Sequence, residues 1–349
     1  MGILKTITDE YFGETVRKED EIDLTDIDVE IVSFTDNNKK FHRRGYKPKD
    51  TYNLQKLLIK MIEVRGDEGD FNDIDTSDIE DMSFLFNGET RFNGDISNWD
   101  VSNVKNMSYM FCNAESFNKP IGNWDVSNVT NMNSILYCAT SFNQPIGNWD
   151  VSNVYNMNNM FYCATSFNQP ICDWNISNVT DMKSMFYNAK SFNQPIGNWD
   201  VSSVIDMDNM FYSATSFNQP ISDWNVSNVK YMSRMFKDAT SFNQPIGNWN
   251  VSNVPNMNYM FSNAISFNQP IGNWDVSSVE SMECMFYGAE LFNQPIDNWD
   301  ISNVIDMTSM FKYATSFNQD LSKWDLTKTF TTNMFDECPI KDKYKPKMK

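Results

Sequence analysis

Apolar and polar residues follow one fixed order along most of this chain. Starting at Ile121 the order is Ile121-x-x-Trp124-x-Val126-x-x-Val129-x-x-Met132, then Ile135-Leu136-x-x-Ala139-x-x-Phe142. Around Trp124, Asp125 and Val126 the period is two. That predicts a very short strand with Trp124 and Val126 inward and Asp125 outward. From Met132 to Ala139 the spacing of three and four predicts about two turns of helix, apolar side inward. Phe142-Asn143-Gln144-Pro145 then ends it, because proline cannot continue a helix and holds the preceding residue extended. Gly147 follows and suits a tight turn.

The order recurs every 25 residues. Trp stands at 99, 124, 149, 174, 199, 224, 249, 274, 299 and 324, which accounts for all 10 in the chain. The same step carries Phe92 to Phe317, Asn93 to Asn318 and Met82 to Met307. One unit with a short strand and a short helix leaves its apolar face open. Stacked neighbours close it, so the pattern predicts an α/β solenoid of ten strand–helix units. The alternation of Trp with Val points the indoles into the core rather than outward as a carbohydrate platform. Met columns fill gaps between units. The Asn columns running from Asn93 and Asn103 are expected to bond from rung to rung, as stacked amides do.

Both ends depart from the pattern, as terminal repeats must. Phe71 and Ile74 stand where later units have Ile and Trp, and Glu89 stands where they have Ala. Residues 50–70 read as a capping helix and linker: Leu54, Leu57, Leu58, Met61 and Ile62 have helical spacing, Asp50 or Thr51 can cap it, and Gly66 can stop it. The repeats then fill 71–324. Residues 325–338 form a C-terminal cap in which the pattern slips by one at Met334-Phe335, and 339–349 a basic, frayed tail. Residues 1–49 are a charged, partly ordered segment. Within it Ile27, Val29 and Ile31 alternate like a strand. Its basic run from Lys39 to Lys49 reads as a solvated linker held against the acidic array.

Composition narrows the function. A chain of 349 residues that is 41% hydrophobic is folded despite a formal charge of −18. The single His, His42, removes two-His metal sites, and no catalytic cluster is visible. Strong acidity argues against nucleic acid as a partner. No apolar run is long enough to span a membrane, and no apolar leader follows Met1, so an intracellular protein is expected. Gly2 with Thr6 matches an N-myristoylation pattern, a weak anchor at best. The six cysteines, Cys112, Cys138, Cys163, Cys172, Cys284 and Cys338, contain no C-x-x-C pair and read as reduced thiols. Cys138 and Cys163 share one position in adjacent units.

The acidity is localised. Residues 70–324 hold 27 Asp and Glu against 10 Lys and Arg. Seven of those acids fall in one column, Asp75, Asp100, Asp125, Asp150, Asp200, Asp275 and Asp300, which Asn175, Asn225 and Asn250 complete. Stacked units would place these side chains about 5 Å apart, where like charges repel. Two readings are open. Asp100, Asp125, Asp150, Asp200, Asp275 and Asp300 form an exposed face for a basic or hydroxyl-rich partner, or they bond neighbouring backbone N–H groups and shape a turn. One carboxylate per unit is a poor calcium cage, so neither metal nor cofactor is expected.

The consensus I-x-x-W-x-V-S-N-V-x-x-M-x-x-M-F-x-x-A-x-x-F-N-Q-P, over about residues 70–338, resembles the 25-residue repeat of BspA-like leucine-rich-repeat surface proteins. That family was long catalogued as a mycoplasma domain of unknown function and is abundant in large DNA viruses. The resemblance implies a leucine-rich-repeat-like fold, interaction roles often at a cell surface, and no catalytic residues. It also makes a giant-virus source, and then the host cytoplasm, an expectation. The function expected is therefore non-catalytic protein–protein interaction. Adhesion to glycans or a host surface, and a structural role in a virion or surface layer, are the alternatives.

Overall fold

The computed structural model describes residues 22–36 and 41–348. The candidate lipidation site, Gly2, lies outside them. Parallel bridges join residues 25 apart, from Asp81↔Asn106 through Asp181↔Asp206, so each repeat is one rung of a coil stacked on the next. The core is what the periodicity predicts. In the rung from Ile121, the side chains of Ile121, Val126, Val129, Met132, Ile135, Leu136, Ala139 and Phe142 are fully buried, and Trp124 nearly so. Equivalent rings stack along the coil, as Phe117 does on Phe142 at 5.9 Å.

The predicted helix in each unit is not there. From Met107 to Ala114 the backbone N–H groups alternate between two uses. Met107, Tyr109, Phe111 and Asn113 donate to Asn131, Asn133, Ile135 and Tyr137 of the next rung at 2.7–3.0 Å. Met110, Cys112 and Ala114 donate three residues back within their own rung at 3.0–3.2 Å. The result is a ribbon of tight turns. Tyr109 and Asn113 have φ of 58° and 59°, as the third residue of a type II turn requires. A three-residue turn returns side chains to the same face much as a helix does, so the Met-x-x-Met-Phe-x-x-Ala spacing fits both. An α-helix would spend every N–H internally. The ribbon frees half of them to join rungs, as at Met107, Tyr109, Phe111 and Asn113.

The predicted strand is also absent, although its alternation holds: Trp124 and Val126 are buried and Asp125 is exposed. On this side of the rung, side chains replace a strand ladder. The indole N–H of each Trp from Trp99 to Trp299 donates to the carbonyl 28 residues earlier, as Trp149 does to Ile121 at 3.0 Å. Asn128 Nδ2 donates to the Ser102 carbonyl at 2.7 Å.

The N-terminal cap is built as expected, with one correction. Strands β1 (Val29–Asp36) and β2 (Phe41–Pro48) form an antiparallel hairpin. The part of the basic run from Phe41 to Pro48 is thus β2 rather than a linker. Its Tyr46 bridges Ile74 of the first rung, and Lys47 reaches Asp78 at 2.8 Å. Helix α1 (Thr51–Arg65) starts at Asp50, whose side chain accepts the Asn53 N–H, and stops at Gly66 with φ 78°. Leu54, Leu57, Leu58 and Met61 bury its inner face. Arg65 forks onto Asp73 with two bonds of 2.7 Å.

At the other end, the one-residue slip is present: Met307 N–H pairs with Phe330 O, where Met282 pairs with Asp306 O. The tail is not frayed. Ile340 is buried, a short 3-10 turn spans Asp342–Tyr344, and Leu326 and Lys347 pair through Leu326 N–H to Lys347 O at 2.9 Å.

Candidate interaction surface

The aspartate column forms the turn after each Trp. At Asp100, Asp125, Asp150, Asp200, Asp275 and Asp300 the Oδ1 atom accepts the N–H of the Ser two residues on, at 3.0–3.1 Å. At Asp100, Asp125 and Asp275 it also accepts the Ser hydroxyl at 2.6 Å. All six residues are exposed. Among the described residues, no Lys or Arg forms an ion pair with any of the six. The serine hydroxyl and N–H bonds hold the carboxyls of Asp150, Asp200, Asp275 and Asp300 below the ordinary carboxylate range.

Asn175, Asn225 and Asn250 occupy the same place and make the same two bonds. Each Oδ1 accepts the Ser N–H at 3.2 Å and the Ser hydroxyl at 2.7–2.8 Å. The local turn therefore needs an acceptor oxygen and not a charge.

The other asparagine columns join rungs, though the column from Asn93 does so through backbone N–H and Gln donors rather than Asn amide on Asn amide. Each Oδ1 in the column from Asn93 accepts the backbone N–H of the next Asn, as Asn118 does from Asn143 at 2.9 Å. The following Gln donates to the same oxygen, Gln144 to Asn118 at 3.0 Å. Beside this ladder lies a shallow recess of about 490 Å³ lined by Pro245, Gly247, Pro270, Gly272 and Pro295 among others. Glycine keeps the rungs close here: a Cβ on Gly247 would meet the Pro270 carbonyl oxygen at 2.3 Å.

One surface feature escaped the sequence reading. Tyr137, Tyr162, Tyr187 and Tyr212 stand one rung apart and stack with centroids 4.3–4.5 Å apart. Lys237 ends the row, its ammonium 4.6 Å from the Tyr212 centroid and donating to its hydroxyl at 2.8 Å. Burial, with added repulsion from neighbouring phenols and thiols, pushes the Tyr137, Tyr162 and Tyr187 phenols up. The 25-residue step in Tyr was the signal. It covers only four rungs and was lost among columns that cover ten. Because the rings stack on one another, they offer edges and hydroxyls outward rather than flat faces.

Among the described residues, no group of three or more His, Cys, Asp or Glu could hold a metal ion. Among the described residues, no helix is long and apolar enough to cross a membrane either.

Stacked 25-residue rungs, few helices, little strand and ladders of identical side chains define a tandem-repeat protein. Three consecutive stretches, residues 54–173, 156–270 and 244–345, match the family described as Mycoplasma protein of unknown function, DUF285. Together they cover most of the chain, which belongs to that family. No curated protein and no solved structure matches it.

Proposed function

We propose that this chain is a non-catalytic protein–protein interaction scaffold whose aspartate column binds a basic segment of a partner protein. The interchange of Asp and Asn carries this reading. Asn175, Asn225 and Asn250 make the turn without a charge, so the turn does not require the charge on Asp100, Asp125, Asp150, Asp200, Asp275 and Asp300. Stacked like charges oppose the fold slightly, and a row of partner cations would offset that. Such a row also steers encounter and fixes register more than it adds raw affinity. The ladders at every rung hold the column rigid, which keeps the ordering cost of binding low.

The aromatic residues favour a protein over a glycan partner. Every Trp is buried, and the stacked tyrosines cover one another's faces. The repeat consensus places the chain, in our reading, beside the BspA-like leucine-rich-repeat proteins, with an intracellular site of action and Gly2 as a weak lipid anchor.

The test compares the intact chain with a variant carrying Asn at all six Asp positions, as baits for partner proteins. The reading expects proteins that the intact chain retains and the variant does not, released by salt as the charges are screened. Identical retention by both baits would reject it.

A further inference from the structure

Cys138 and Cys163 occupy one position of adjacent rungs, and their backbones are tied in register. The Cys138 N–H donates to Tyr162 O at 2.6 Å, and the Cys163 N–H to Tyr187 O at 2.7 Å. Both have nearly the same φ, 53° and 55°, so the two side chains leave parallel backbones in the same direction. Stacked rungs lie about 4.8 Å apart. That is inside the Cα–Cα range of disulfides, about 4.4–6.8 Å. Both residues are half-buried, so small reagents can reach them. The other four cysteines fall at other rung positions.

The two thiols differ in their neighbours. Cys163 Sγ accepts a bond from Asn188 Nδ2 at 3.2 Å. The Cys138 thiol is placed to donate toward a Cys163 thiolate. That bond, followed by the Asn188 amide and the Lys190 charge, holds the Cys163 thiol below its ordinary value. The same bond and burial push Cys138 up. Cys163 is thus the better thiolate and Cys138 the poorer one.

We propose that Cys138 and Cys163 are a redox-active dithiol that closes into an inter-rung disulfide, with a low-molecular-weight disulfide as oxidant. The Cys163 thiolate attacks one sulfur of the oxidant, RSSR, forming Cys163–S–SR and releasing RS⁻. Cys138 then loses its proton and attacks the Cys163 sulfur, forming the Cys138–Cys163 bond and releasing a second RS⁻. Two protein thiols are oxidised and one small disulfide is reduced to two thiols. The product ties two rungs through a closed loop of 25 residues, which constrains the unfolded chain.

The experiment incubates the reduced full chain with oxidised glutathione, blocks free thiols by alkylation and maps the peptides by mass. The expected product joins the Cys138 and Cys163 peptides, and the oxidised chain melts higher than the reduced one until dithiothreitol reverses it. Cys138→Ser is expected to stop at one glutathionyl group on Cys163, and Cys163→Ser to leave Cys138 unmodified under the same conditions. Serine is accommodated at this position, since Ser213 holds it three rungs from Cys138 with φ 55°. A disulfide between any other pair, or both cysteines fully alkylated in the wild-type chain, overturns the proposal. So does Cys138→Ser with an unmodified Cys163.

Discussion

The backbone N–H of Asn193 donates to Asn168 Oδ1, one rung away, at 2.9 Å, and Gln194 Nε2 donates to the same oxygen at 2.9 Å. One side-chain atom therefore satisfies two donors of the neighbouring rung. Asn168→Ala leaves the Asn193 N–H without a partner in a half-buried setting, while Gln194 keeps the Asn168 carbonyl at 3.0 Å, and should cost about 1–3 kcal/mol. Asn168→Asp keeps the acceptor and should retain more of the stability. Urea unfolding followed by circular dichroism would show it, as a midpoint lowered more by Ala than by Asp.

The Trp column ties rungs by the same logic, with a larger apolar share. Trp199 is nearly buried and donates from Nε1 to Ile171 O at 3.1 Å. Trp199→Phe loses that bond, leaves the Ile171 carbonyl with only the Trp174 N–H at 3.3 Å and opens a gap, for a loss of about 1–3 kcal/mol. Trp324 is a built-in control, because its buried Nε1 has no partner. Trp324→Phe should cost less. Equal midpoint losses at the two positions would show that the bond contributes nothing.

The turn ribbon makes two predictions of opposite sign at one rung position. Ser213 sits at φ 55°, where an L side chain costs about 1–2 kcal/mol, so Ser213→Gly should raise the melting temperature. Gly288 sits at φ 62° and a Cβ there would meet Asn263 Oδ1 at 2.3 Å, so Gly288→Ala should lower it. A stabilised Gly288→Ala chain would contradict the ribbon geometry.

Two half-buried carboxyls on the ribbon face give a pH dependence. Burial pushes Asp206 and Asp208 above the ordinary carboxylate range. A folded-state value above the unfolded one means stability that is present at low pH and lost as pH rises through the folded value. Asp206→Asn keeps the bond from the Asp208 N–H, as Asn131 does for Asn133. It should therefore raise the melting temperature at pH 7, with the gain shrinking as pH falls through the raised folded value and gone by about pH 4, near the ordinary Asp value. A gain that grows on acidification would reverse the sign of this account.

The sequence showed the rung length, the inward columns, the capping helix and the aspartate column. Each depends on which side chains recur, and Trp124, Val126 and Asp125 alternate in and out as read. It did not show the backbone path between them. Met107, Met110, Phe111 and Ala114 point inward from a helix or from a run of turns alike, and the choice rests on where N–H groups such as Tyr109's go. The C-terminal tail was misread for a related reason. Its five lysines suggested solvent, while Ile340 and the Leu326–Lys347 pairing that dock it carry little pattern. In the aspartate column the turn reading holds, since Oδ1 accepts the serine bonds from Asp and Asn alike, and it leaves the charge free for the binding reading proposed above.

That separation of charge from fold is the central claim, and it can be measured without a partner. The chain carrying Asp100→Asn, Asp125→Asn, Asp150→Asn, Asp200→Asn, Asp275→Asn and Asp300→Asn together would be melted beside the wild type at low ionic strength. The account predicts a melting temperature close to that of the wild type, because Asn keeps the serine bonds and the relief of repulsion offsets the loss of the stronger bonds to an ionised carboxylate. A clear fall in melting temperature would mean that the charges hold the turns, and would contradict it.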